Sequence, residues 1–213
     1  MEVKTYVGSI RRSADYIRSR VGSAKPKIGI IISSTRQQRF GEKAGHWIHG
    51  LAQKRADLDF ELVDLRDYPL PWFEGLSPAW GPVQNDIAKR WGAKMAELDG
   101  YLFVAAEYNR SITGALKNAL DWAYNEYKRK PAAYFGYGSV GGARAIEHLR
   151  LICVELQMAP LRHGVHLCGP DFLGVLMQGK SFEDYPYLAD QAGKLFDDLA
   201  WWARTLKEAR EAA

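Results

Sequence analysis

KIGIIISS, residues 27–34, is a short, dense, β-branched run. It suits a strand buried on both faces, since a strand with one wet face would alternate apolar and polar residues. Four more segments predict strands: DFELVDL (59–65), GYLFVAA (100–106), PAAYFGYG (131–138, weakened by its glycines) and LRHGVHL (161–167). Between them, apolar residues recur at helical spacing. Phe40, Ala44, Trp47, Ile48 and Leu51 mark a first helix, and Val83, Ile87, Trp91, Met95 and Leu98 a second. Ile112, Leu116, Leu120 and Tyr124 mark a third, and residues 142–157 a fourth. Leu188, Ala192, Leu195, Leu199, Trp202 and Leu206 predict a long closing helix. RDYPLPWFEGLSPAWGP, rich in Pro, Gly and aromatics, predicts a long loop.

Strand and helix alternate five times, which implies a parallel sheet covered on both faces. The 213 residues suit one α/β domain, and 47% apolar residues can supply its core. The units are too few for an eight-fold barrel. Right-handed crossovers then favour a doubly wound, five-stranded parallel sheet in the flavodoxin-like order 2-1-3-4-5, expected over residues 27–210. Residues 1–26 read as a basic N-terminal extension, VGSIRRSADYIRSRVGSAKP at its core. It lacks the apolar stretch of a secretory signal; a transit-like segment is the other reading. There is no run of roughly 18 apolar residues, so no membrane span is expected. Cys153 and Cys168 fit no metal or redox spacing and suit a reducing, cytoplasmic setting. The net charge of +4 is spread along the chain. It reads as a mixed solvated surface or as attraction for an anionic ligand, with no nucleic-acid partner expected.

In such a sheet ligands bind beyond the carboxyl ends of the strands, near the switch in strand order. Three loops fall there. SSTRQQRFGEKAG (33–45) offers the hydroxyls of Ser33, Ser34 and Thr35, the cations Arg36 and Arg39, and Gly41 for close backbone approach. It matches neither G-x-x-x-x-G-K-[ST] nor G-x-G-x-x-G. A terminal monophosphate at a helix start suits it, as does an ordinary capping loop. EYNRSITGALKNALDW (107–122) leaves the third strand with Tyr108, a ring for a flat heterocycle, and Asn109, both donor and acceptor. Ser111 or Thr113 can cap the helix that follows. The alternative is a capped helix with Tyr108 as a half-buried wedge and Asn118 and Asp121 tying the helix to neighbouring loops. GYGSVGGARA (136–145) has glycines able to bring amides close to a ligand, or to make a sharp turn with none. Together the three loops describe a mononucleotide site. No metal site is expected, since the His46/His49 and His163/His166 pairs lack a third ligand. There is no G-x-S-x-G for a hydrolase and no acidic pair after the first strand for a phospho-acceptor.

At these residues the sequence resembles the NADPH-dependent FMN reductase family, whose pattern is roughly P-x-Y-N-x-S-x-x-G-x-L-K-N-A-[LI]-D-W. EYNRSITGALKNALDW matches it closely, with Ala106 where many members have proline. GYGSVGGARAIEHLR, SSTRQQRFGEKAGHWI and DLRDYPLPWFE look like the family's glycine turn, phosphate loop and post-strand-two segment. The resemblance implies a flavodoxin-like fold and FMN as cofactor, with NADPH or NADH as co-substrate. Ser34, Arg36, Arg39, Phe40 and Gly41 would hold the FMN phosphate. Glu107, Tyr108 and Asn109 would contact the isoalloxazine through backbone groups, and Gly138, Ser139, Gly141 and Gly142 would line its other side. The chemistry would lie at flavin N5, with no catalytic side chain and no metal. It would be hydride transfer from the nicotinamide, then reduction of a small acceptor such as a quinone, azo compound, metal oxyanion or free flavin. The resemblance also implies a homodimer or homotetramer, with Trp72, Phe73 and Trp80 as contact residues or as buried core aromatics. The competing readings are a flavodoxin-type electron carrier, against which the basic charge weighs, and a flavin-state-dependent regulatory protein. Arg144 or Arg110 would steer a 2′-phosphate or be solvated.

Overall fold

The computed structural model describes residues 24–213, so all but the last three residues of the expected N-terminal extension lie outside the described residues. Five parallel strands form one sheet: β1 (Lys27–Ile32), β2 (Asp59–Asp64), β3 (Gly100–Ala106), β4 (Pro131–Gly138) and β5 (Ala159–Cys168). Their order is β2-β1-β3-β4-β5, as the alternation predicts. The helices are α1 (Gly41–Ala52), α2 (Asp86–Glu97), α3 (Gly114–Asp121), α4 (Ala143–Glu155), α5 (Gly169–Met177) and α6 (Pro186–Glu211).

The period-two alternation of strand side chains divides the core between two faces of the sheet. Ile28, Ile30, Leu102, Val104 and Phe135 point to the face covered by α1 and α6. Ile31, Tyr101, Phe103 and Tyr134 point to the face covered by α2, α3 and α4. Every residue of β3 is buried, as a central parallel strand requires. Gly29 leaves room for the helix-terminal Leu98, whose Cδ1 would stand 2.5 Å from a Cβ added there.

The structure corrects several expected boundaries. Val83 lies ahead of α2, because Asn85 accepts a hydrogen bond from the Ala88 amide and starts the helix after it. α3 spans only Gly114–Asp121, so Ile112 and Tyr124 lie beyond its ends although they keep helical spacing. α5 occupies a segment with no expected element, Pro170 standing in its first turn. Trp202 is not on the buried stripe of α6. It packs edge-on against Trp201 at the surface, while Phe196 and Ala203 join the stripe instead.

At the amino edge of the sheet, Asp99 gathers the chain. It accepts from the Lys27 amide at 3.0 Å, Lys207 at 2.8 Å and Arg210 at 2.7 Å, locking the last turns of α6 under β1 and β3. Among the described residues, no helix is long and apolar enough to cross a membrane.

Candidate functional site

The three loops meet at the carboxyl edge, where β1 and β3 lie side by side and their connections leave in opposite directions. Ser33 knits that junction: its hydroxyl donates to the Val104 carbonyl at 2.7 Å. The Thr113 hydroxyl donates to the Ser33 carbonyl at 3.1 Å and accepts from the Leu116 amide at 3.1 Å, so one side chain caps α3 and anchors the first loop. Thr113, not Ser111, is the cap.

The first loop is held from the β2 side. Arg39, with its side chain 3% exposed, turns inward and grips both carboxylate oxygens of Asp64, and donates to the Ser34 carbonyl at 2.9 Å. Burial alone would raise the Asp64 carboxyl, but hydrogen bonds from Arg39 and the Arg66 amide hold it below the usual carboxylate range. Arg66 donates to the carbonyls of Arg36 and Gln37 and reaches that of Thr35. The carbonyls of the loop are thereby engaged by arginines of the same chain. At its end Phe40 leads into α1 with no side chain capping the helix, whose first-turn amides have no intrahelical partner. Phe40 itself is core, its ring 5.0 Å from those of Tyr137 and Phe172. A Cβ on Gly41 would come 2.8 Å from the Tyr137 hydroxyl, so β4 supports the start of α1 directly. Burial raises the Tyr137 phenol above its ordinary range and keeps it neutral.

After β3, Tyr108 to Ser111 close a tight turn. The Tyr108 amide donates to the Ser111 carbonyl at 2.9 Å and the Ser111 amide donates back at 3.1 Å. Asn109 and Arg110 take φ of 49° and 71°, the type I′ arrangement. Asn tolerates this region; Arg pays about 1–2 kcal/mol, and such strain concentrates at functional sites. The turn is tied at both ends. The Tyr108 hydroxyl lies 3.1 Å from Ser34 Oγ, and Ser111 Oγ lies 3.1 Å from His148 Nδ1. The Arg36 guanidinium stands 5.8 Å from the Tyr108 ring centre. Glu107 faces the other way. Its side chain is 6% exposed, pairs with the Arg144 guanidinium, and accepts from the amides of Arg144 at 3.1 Å and Ala145 at 3.4 Å. Arg144 is partly solvated, its side chain 39% exposed, and its guanidinium is engaged by Glu107.

After β4, Gly138, Gly141 and Gly142 take φ of 135°, 64° and 66°. A Cβ on Gly142 would stand 2.9 Å from Gly136 Cα and 3.0 Å from the Tyr137 nitrogen, so the turn folds back onto its own strand. Ser139 is exposed at the tip. His166 Nδ1 lies 2.9 Å from the Gly141 carbonyl. Above the end of β4, a Cβ on Gly138 would meet nothing within 4 Å.

A cleft of 580 Å³ adjoins the first loop, with Thr35 and Arg66 on one wall, Ala115 and Asn118 on another, and Pro69 to Trp72 between them. Asn118 shapes it by accepting from the Phe73 amide and donating to the Pro71 carbonyl, both at 2.8 Å. Asp121 makes no such tie; it pairs with Lys117 on its own helix. Trp72 and Trp80 are 78% and 82% exposed, so neither is a core aromatic, whereas Phe73 packs edge-on against Trp122. Among the described residues, no three His, Cys, Asp or Glu side chains are grouped to hold a metal ion.

The structure thus brings Ser34, Arg36, Tyr108 and Asn109 to one edge beside the glycine turn, and turns Arg39 and the Glu107 side chain to protein partners. Asp64, Arg66 and Tyr137 were not expected to support the site. The segment DLRDYPLPWFE, which carries Asp64 and Arg66, was the available signal.

Residues 26–169 match the sequence profile of a family described as NADPH-dependent FMN reductase. Over 197 residues the chain is 34% identical to a Nectria protein named NAD(P)H-dependent FMN reductase, covering 87% of this chain and 96% of that one. It is 34% identical over 139 residues to a 2-hydroxy-1,4-benzoquinone reductase from a Burkholderia species, covering 62% and 72% of the two chains. FerB, a flavoenzyme NAD(P)H:(acceptor) oxidoreductase from Paracoccus denitrificans, shares the fold with a TM-score of 0.65 at 22% identity, over 84% of this chain and 98% of that one.

Proposed function

The chain belongs to the NADPH-dependent FMN reductase family, and from that premise we propose that it holds FMN at this edge, takes a hydride from NADPH or NADH, and reduces a small acceptor of the quinone class. The observation that carries this reading is the Ser34–Tyr108 contact at the β1/β3 switch. It joins the loop ending at the uncapped start of α1 to the strained Asn109–Arg110 turn.

The residues present fit FMN. An uncapped helix start favours a phosphate through its free amides and positive dipole end. Ser34 would add a hydroxyl, and the backbone of Phe40 and Gly41 its amides. Arg36, exposed and resting near Tyr108, supplies a cation. Arg39 would act from behind, holding the loop's shape through Asp64. The backbone of Glu107, Tyr108 and Asn109 would meet one edge of a flat ring, and Gly138, Ser139, Gly141 and Gly142 would line its other side. Bound FMN supplies the hydride-accepting centre at N5. The protein places the ring and offers backbone donors to the negative charge that reduction brings, and no side chain of the site has to act as acid, base or nucleophile. Relatives named quinone reductases support the quinone class as acceptor, and relatives named FMN reductases support free flavin as the alternative.

The test is the visible absorption of the purified protein before and after anaerobic NADPH and NADH, followed by a benzoquinone. Flavin bands that bleach with a reduced nicotinamide and return with the quinone are expected. Bands that persist with both nucleotides would leave only an electron carrier or regulator. A protein that neither carries nor binds FMN would overturn the whole assignment.

A further inference from the structure

Several helices begin at the edge that carries the site: Thr113 caps α3, and α5 has Pro170 and Asp171 in its first turn. The starts of α1 and α4 differ in what the chain places on them. α1 receives no cap from Phe40, and no charged side chain closes its start; the neutral Tyr137 hydroxyl stands beside its first residue, Gly41. α4 begins after Gly142, which supplies no side-chain cap of its own, yet its amides at Arg144 and Ala145 are occupied by the buried carboxylate of Glu107, with the Arg144 guanidinium on the same carboxylate. A carboxylate there neutralises the partial positive charge that would otherwise attract an anion. It also arrives from the end of β3 rather than from the helix's own sequence, so it links the two loops assigned above to the flat ring.

We propose that Glu107 is a positioning residue that gives the site its polarity. It is a resident anion that closes the start of α4, so that a phosphate has one seat, at α1, and the uncharged ring of the mononucleotide faces α4. The inference rests on the FMN reading above. Its content is separate: with both helix starts bare, a phosphate could settle at either, and the one at α4 would compete with the ring.

The probes are inorganic phosphate, riboflavin and FMN, used on the flavin-free full chain. In the unaltered protein, equilibrium dialysis should find one phosphate seat, displaced by FMN, and phosphate should not weaken riboflavin binding. In Glu107→Ser, too short to reach the amides, a second phosphate seat should appear, and saturating phosphate should weaken riboflavin about fivefold, the scale of a helix-terminal charge effect. Arg144→Gln, which leaves the carboxylate on the amides, should keep one seat. Should Glu107→Ser not fold, Glu107→Met, of similar length but with no oxygen to offer the amides, carries the same riboflavin test. One phosphate seat in the folded Glu107 variant, with riboflavin indifferent to phosphate, would overturn the proposal, as would two seats in the unaltered protein. A purely structural cap would lower stability without changing the number of seats. If the unaltered protein binds no FMN, the functional reading fails instead, and the phosphate count still decides the role of Glu107.

Discussion

Gly142 sits where two demands coincide: a φ of 66° and a Cβ position 2.9 Å from Gly136 Cα. Gly142→Ala should therefore cost about 2–3 kcal/mol, the left-handed penalty and the clash together, read as a lowered urea midpoint. Arg110 is the opposite case. Its φ of 71° costs an L-residue about 1–2 kcal/mol, whereas glycine's extra freedom in the unfolded chain costs about 0.5–1 kcal/mol. The first outweighs the second, so Arg110→Gly should raise stability by about 0.5 kcal/mol in the same experiment; a lowered midpoint would show that the side chain does something the turn alone does not. At this scale the sequence was legible in residue types but not in partners. The glycines of GYGSVGGARA foretold positive φ because few other residues accept it. Nothing local foretold that Arg39 would close on Asp64, 25 positions along the chain, or Glu107 on the start of α4, because those pairings exist only once the strands are assembled.

Among the elements, the strands were the most legible, since a strand buried on both faces leaves a continuous apolar run. α5 was not. It has nine residues, two of them glycine, and buries only Gly174 and Val175, so it leaves too short a stripe to read; Pro170 in its first turn was the one available sign. Val83 and Tyr124 kept the spacing of their helices but fall outside them, because caps and turns, not periodicity, end a helix. Lys130, just ahead of β4, carries a prediction that belongs to this scale. Its ammonium donates to the last-turn carbonyls of α2, Met95 at 2.8 Å and Ala96 at 3.1 Å. Burial lowers its pKa to about 8. An unfolded lysine titrates near 10.4, so between those values the unfolded chain binds more protons, and stability rises with pH across that window. Lys130→Met should remove this rise, so subtracting its stability–pH curve from that of the unaltered protein should leave a slope between about pH 8 and roughly 10.4. A flat difference would mean that the folded lysine keeps its ordinary titration.

For the molecule as a whole, the segment between β2 and α2 carries Trp72, Leu76 and Trp80, each more than three-quarters exposed, with Trp72 lining the 580 Å³ cleft. Exposed apolar groups of this size gathered on one segment mark a contact surface. We propose a second copy of the chain as its occupant, in the homodimer or homotetramer that the family resemblance implies. Trp72→Ser with Trp80→Ser should then shift the sedimentation coefficient towards that of the 24.0 kDa monomer; an unchanged coefficient would remove this surface from the contact. The opposite end of the chain has a consequence of its own. α6 supplies Leu188, Leu195, Phe196 and Leu199 to one face of the sheet, and Asp99 fastens its last turns under strands made much earlier. While the ribosome is still at work, β1, β3 and β4 can be complete with that face covered by α1 but without α6. Synthesis proceeds at about 5–20 residues per second, so the nascent sheet waits some seconds for the rest of its cover. Interrupting translation near residue 185 should yield chains that bind chaperones and are digested readily, whereas release of the full chain should convert them to the protease-resistant form.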